Sequence, residues 1–252
     1  LVLEVPYHYE RSIENGIDPA HNEFVHPTHG HQAIDRAKYA VRDYKTEDHR
    51  QGWGFWFMHL FDAPPLPQKG HETSPDADTP WGDTRTKESQ AYVGGGTYGP
   101  NMMPTYINID STKMFRQYFF EAPVDENNTK IFFLNMRNFL LDPKHNGPIH
   151  ARNKVIAGQD IQILSTMNPT STPINPTKEV LTPSDAAVAA YRGWLEKFDD
   201  KGWRIDTDKF YALHGKHKAF AIPCPARRTT GNWVLDPVPL IKDRATRRQI
   251  ED

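Results

Sequence analysis

The stretch SIENGIDPAHNEFVHPTHGH, residues 12–31, sets His21, His26, His29 and His31 within eleven positions, beside Glu14 and Asp18. The chain has 12 histidines in 252 residues, so this cluster is either a solvated polar loop or part of a metal site. On an unbroken α-helix, residues five apart diverge by about 140° and residues four apart by about 40°. His21 and His26 can therefore face one ion only where the helix breaks. The sequence offers such a break. Asp18 suits an N-cap, Pro19 suits the first helical position, and Pro27 pushes His26 out of the α region. A helix of roughly two turns over 19–25 is expected, with His21 inside it and His26 at its end, where the ring can swing back.

The composition bounds what surrounds this stretch. Apolar residues make up 37% of the chain and mean hydropathy is -0.71, low for a large core, but 12% aromatics supply bulky side chains to bury. A net charge of -2 and a pI near 6.7 carry no nucleic-acid footprint. No apolar run approaches the roughly 18–20 residues of a membrane span, and LVLEVPYHYERS at the start lacks a signal peptide's basic and apolar regions. The default location is the cytoplasm. A single cysteine, Cys224, excludes an internal disulfide framework and a four-cysteine metal site.

Strands are expected over 1–9, 36–45, 52–61, 104–110, 114–123 and 129–140, where aromatic and β-branched residues gather; DSTK and VDENN separate the last three as an antiparallel meander. Val155, Ile156, Ile161, Ile163 and Leu164 suggest a helix over 150–166, and SDAAVAAYRGWLEKFDDKG (184–202) is the clearest helix, with a Ser/Asp start and a Gly stop. The Pro-rich segments 62–90 and 166–183 read as loops, and 203–252 as mostly irregular. Gly94–Gly96 reads as a turn. Cys224 reads as inert, and His214 and His217 as a charged surface loop. There is no H-E-x-x-H, no G-x-S-x-G and no P-loop. Strands in a block flanked by helices indicate an α+β fold, taken as one domain over 1–252.

The spacing Glu14-Asn15-x-x-Asp18-x-x-His21-x-x-x-x-His26 resembles the catalytic domain of the Rieske-type non-haem iron oxygenases. KVIAGQDIQILSTMNP resembles that family's acid/Gln-Asp-x-x-hydrophobic segment, and SDAAVAAYRGWLEKF its late helix, so the resemblance spans 1–200. It implies a helix-grip, START-like domain, a curved antiparallel sheet holding a long helix over a cavity. It implies mononuclear Fe(II) on His21, His26 and Asp160, and Asp18 as the bridge to a [2Fe–2S] cluster of a neighbouring subunit. Asn15 is a candidate cofactor contact. A two-histidine, one-carboxylate face leaves positions on iron open for O₂. The resemblance further implies hydroxylation or oxidative demethylation of an aromatic or polycyclic small molecule, a reductase or ferredoxin as electron donor, and a homotrimer. It departs from the family in one respect: a Rieske cluster takes two cysteines and two histidines, so the cluster belongs to a missing domain or a separate partner.

On the residues alone two other classes stay open. One is a helix-grip module that binds a small molecule without oxidising it. The other is a zinc hydrolase built on His26, His29 and His31.

Overall fold

In a computed structural model, residues 1–26, 40–63, 89–173, 179–213, 220–221, 229 and 236–242 are described. The chain packs as two compact units, 1–191 and 192–252.

The first unit is built on a seven-stranded antiparallel sheet in the order β1-β7-β6-β5-β4-β3-β2. Six strands follow one another as a meander: β2 (Arg42–Asp48), β3 (Gly54–Ala63), β4 (Ser89–Tyr98), β5 (Met102–Asn108), β6 (Met114–Pro123) and β7 (Thr129–Arg137). β1 (Val2–Val5) closes the far edge against β7, with Val2 opposite Phe132 and Val5 opposite Thr129. Side chains alternate between the two faces of such a sheet. Ile131, Phe133 and Asn135 of β7 line a cavity on the inner face, while Phe132, Leu134 and Met136 on the outer face are exposed.

Two helices cover the inner face. α1 (Tyr9–Ile17) packs on β4, β5 and β6 and sinks Ile13 and Ile17 completely. α3 (Asn146–Leu164) begins after a 3₁₀ turn, Pro143–His145, in which the Asp142 side chain accepts the Lys144 N–H. The ends of α3 enter separate apolar clusters. Ile149 joins Ile109, Phe115 and Phe139, and Leu164 joins Val5, Tyr7 and Ile131. Its central inward face, Asn153, Ile156, Ala157 and Asp160, meets the cavity instead. A long helix held across a concave sheet is the α+β, helix-grip-like arrangement expected of the sequence.

Several expectations change in detail. α1 replaces the tail of the strand expected over 1–9. The helix expected over 19–25 is the single turn α2 (His21–Val25), with Ala20 as its N-cap. Asp18 is the C-cap of α1, its N–H bonded to Glu14 and Asn15 carbonyls, while its Oδ1 accepts the Ala20 N–H at 2.7 Å. The expected Ser/Asp start falls in a 3₁₀ turn, Pro183–Asp185, whose N-terminus carries a capping box of Thr182 and Asp185, and α4 (Ala186–Asp199) follows it.

Gly94, Gly95 and Gly96 form no turn; they lie inside β4. A Cβ on Gly96 would stand 2.1 Å from the Phe55 carbonyl oxygen, and one on Gly94 2.0 Å from that of Phe57. Backbone approaches too closely there for any side chain. Gly96→Ala is therefore expected to destabilise the protein by about 2–3 kcal/mol, the scale of overpacking in a rigid core, read as a lower urea midpoint.

In the second unit α5 (Thr207–Leu213) follows a bridge between Ile205 and Leu240, and the two-residue strands β8 (Phe220–Ala221) and β9 (Asp236–Pro237) pair in parallel. Cys224, His214, His217 and the segment 64–88 lie outside the described residues.

Candidate metal centre

Three ligand-bearing side chains converge from two elements. His21 and His26 come from the start and the C-cap of α2, and Asp160 from the inner face of α3. One ligand atom from each lies within 4.8 Å of the other two. His26 Nε2 is 3.1 Å from Asp160 Oδ1, and His21 Nε2 is 4.0 Å from the same oxygen. The imidazoles meet edge-on, centroids 5.2 Å apart. The break at the end of α2 makes this possible: His26 leaves the helical region at φ -110, ψ 78, and its ring turns back beside that of His21. His29 and His31 lie outside the described residues.

Each of the three groups is held from behind. His21 Nδ1 hydrogen-bonds to the backbone carbonyl of Asp18, and His26 Nδ1 to Gln159 Oε1 at 2.9 Å. Both acceptors require an Nδ1–H donor, so each ring keeps its Nε2 lone pair toward Asp160. Asn15 Nδ2 donates to Asp160 Oδ1 at 3.0 Å, which fixes the carboxylate and ties α1 to α3.

The electrostatics favour neutral imidazole at His21. Burial lowers its pKa, Asp160 opposes this, and His26 adds to the lowering. The Asp18 carboxyl is raised, chiefly by burial, against the pull of His21 and the Ala20 N–H, with Asp185 adding to the rise. Tyr7 is raised by burial, then by the charges of Glu121 and Asp160.

The cluster opens on a cavity of about 230 Å³ between α3 and the sheet, walled largely by apolar residues such as Met103, Phe119, Ile131 and Ile156. An apolar cavity of about 150 Å³ admits benzene, so this one has room for a substituted single ring or a small fused pair.

A two-histidine, one-carboxylate set is the donor chemistry of non-haem ferrous sites. The buried, back-bonded rings and the orienting Asn15 fit such an ion. His21, His26, Asp160, Asn15 and Asp18 had all been singled out in the sequence, and all five stand at this cluster. Gln159 had not been given a role; its only signal was its place beside Asp160 in GQD.

The chain belongs to the Rieske-type non-haem oxygenases, in the family of vanillate O-demethylase oxygenase C-terminal domains, which matches residues 5–200. Solved structures share the fold. NdmA of Pseudomonas putida CBB5 with caffeine is 19% identical, TM-score 0.56, over 77% of this chain and 50% of that one. NdmB of the same organism is 18% identical, TM-score 0.53, over 78% and 49%. Dicamba monooxygenase bound to dicamba is 15% identical, TM-score 0.55, over 78% and 56%. The chain thus spans about half the length of these structures. No curated protein matches it. Among the described residues no helix is long and apolar enough to cross a membrane.

Proposed function

We propose that this chain is the oxidising domain of an oxygenase that hydroxylates, or demethylates by hydroxylating a methyl group, a small aromatic compound. The observation that carries this is the His21, His26 and Asp160 cluster opening onto an apolar cavity. These three residues would hold one ferrous ion, which supplies O₂ binding and activation when present. Residues 1–252 would act as one catalytic domain, the ligands all falling in its first unit.

The protein's own part is positional. The Asp18 carbonyl and Gln159 hold the two rings in the tautomer that offers Nε2. Asn15 keeps the carboxylate of Asp160 aimed at them. The two apolar clusters beneath the ends of α3 exclude water from the cavity and confine the substrate beside the ligands. Asp18 is the proposed contact with the electron donor, since its carbonyl already holds His21. Its carboxylate is half-buried and bonded to Ala20 N–H, so donor docking would have to expose it. The electrons come, on this reading, from a Rieske cluster on a partner subunit of a trimer, reduced by a reductase or ferredoxin. A cytoplasmic setting suits that supply.

The compounds named with the family and its neighbours, vanillate, caffeine and dicamba, each carry a methyl group on oxygen or nitrogen, and they form the first panel. Protein loaded anaerobically with Fe(II) and given hydrogen peroxide in place of O₂ and two electrons is expected to release formaldehyde from at least one of them. His21→Ala protein releases none. No formaldehyde from wild-type protein at full iron loading would sink the proposal.

The support behind His26 gives a separate expectation. Gln159→Leu removes the acceptor for Nδ1–H and should weaken Fe(II) binding by about 10–100-fold, measured by anaerobic titration against a chelating dye.

A further inference from the structure

Between the two apolar clusters the sheet carries a row of polar side chains. Thr105 of β5 pairs with Gln117 of β6, and Gln117 pairs with Asn135 of β7. All three line the cavity. Phe115 and Phe119 flank Gln117 along β6, one in each cluster, so the row crosses the middle of the floor. Cross-strand neighbours on one face lie about 5 Å apart, so the two amides can act together on one ligand edge.

Asn135 is the informative member. Its Oδ1 is shut off from solvent and has no hydrogen-bond partner among the described residues. An amide in an apolar cavity is destabilising unless a partner meets it. β1 runs alongside β7 only as far as Phe133, so no strand residue stands opposite Asn135 on that side. The charges on the cavity wall lie elsewhere. Asp18 and Asp160 belong to the His21–His26–Asp160 cluster, Arg152 stands on α3, across the cavity from the row, and the buried His59 lines the cavity from β3, two strands beyond Thr105.

We infer that the Thr105–Gln117–Asn135 row is the polar reading surface for substrate, and that it selects an uncharged ring compound whose edge carries an N–H or O–H donor beside an acceptor, such as a carboxamide or lactam. This rests on the cavity being the substrate site proposed above. The donor meets Asn135 Oδ1, whose amide turns toward the cavity to receive it, while the neighbouring acceptor takes an N–H from Gln117. The apolar body of the ring lies against Phe119 and Ile156, which fixes the face turned to the metal cluster. Among the described residues no Lys or Arg of the sheet lines the cavity, so a carboxylate is disfavoured.

The test uses metal-free protein, so that it reads the cavity and not the iron. 3-Methoxybenzamide, 3-methoxytoluene and 3-methoxybenzoate are titrated calorimetrically into wild type, Asn135→Leu and Asn135→Asp. In wild type the benzamide is expected to bind at least tenfold tighter than either of the others. Asn135→Leu loses that preference and gains affinity for the toluene, which also shows that its cavity is intact. Asn135→Asp keeps an acceptor and retains part of the benzamide preference. A benzamide preference unchanged in Asn135→Leu overturns the inference. So does tightest binding of the benzoate, which would assign recognition to Arg152 or His59, and so does no binding of any probe at millimolar concentration. A benzamide preference in a protein that takes up no iron would sink the oxygenase proposal and leave this one standing.

Discussion

Asp160→Asn is expected to lower the iron content of anaerobically reconstituted protein from about one ion per chain to under about a tenth, a larger loss than removal of an orienting neighbour produces. The substitution keeps the volume of the side chain and an oxygen for Asn15 to meet. It removes the charge that faces both imidazole nitrogens, at 3.1 Å from His26 and 4.0 Å from His21. A ligand bound only by the native state stabilises it by about 2.7 kcal/mol at a hundred times its dissociation constant. Fe(II) should therefore raise the melting temperature of the wild type by several degrees and leave that of the variant unmoved. His26→Ala should behave alike. Iron retained near one per chain in both variants would show that the ion, if bound, sits elsewhere.

The second large effect concerns Glu121, which the proposed chemistry does not use. It is fully buried on the inner face of β6; Ser12 Oγ donates to its Oε1 at 2.9 Å, while Oε2 has no partner among the described residues. Burial pushes its carboxyl up to about 8, against the lowering by Ser12. A carboxyl raised on folding keeps its proton in the native state while the unfolded chain releases it. Stability is therefore highest below the unfolded value near 4.5, falls as pH rises through about 8, and levels off beyond. At 1.36 kcal/mol per pH unit the ceiling on that loss is about 4–5 kcal/mol. Glu121→Gln keeps the shape and an acceptor for Ser12 but cannot ionise. It should be more stable than wild type by roughly 2–4 kcal/mol at pH 8.5 and nearly equal to it at pH 5, as measured by urea midpoints at the two values. Parallel pH curves for the two proteins would remove Glu121 as the cause.

Much of this molecule could be read from its residues, and the failures have physical reasons. β6 was expected over 114–123 and spans Met114–Pro123, because its aromatic run ends in clear turns on both sides. α1 was missed because YERSIENGI looks like a solvated segment. In the structure Glu10, Arg11, Ser12 and Glu14 are all buried, and the Arg11 guanidinium is matched by Glu14 at 3.7 Å and Glu179 at 3.1 Å. A pattern that places charge outside cannot detect charge satisfied inside. β4 was missed for the opposite reason: Gly94–Gly96 announces a turn, yet the glycines are there to admit neighbouring backbone. The helix expected over 150–166 was found, but two of the apolar residues behind that expectation, Val155 and Ile163, are about half exposed. Its inward face is partly polar because it meets a cavity.

The convergence of His21 and His26 was legible because its spacing is fixed locally: one turn of helix and one proline place the two rings. Asp160 needed the family resemblance, since nothing in its own segment says that α3 lies over α2. Gln159 had only its place beside Asp160 to mark it, and Asn135 had nothing. Each is an ordinary amide until the fold supplies, or withholds, its partner.

α3 behaves as a girder resting on two abutments. Ile149 and Leu164 bear on packed clusters at either end, and the stretch between them faces the chamber below, with Gln159 and Asp160 meeting His26 and Asn15. Exchanges at Asn153, Ile156 or Ala157 should then re-shape that chamber without loosening the supports. Such a layout leaves the chamber open to change while the frame and the His21–His26–Asp160 corner stay put.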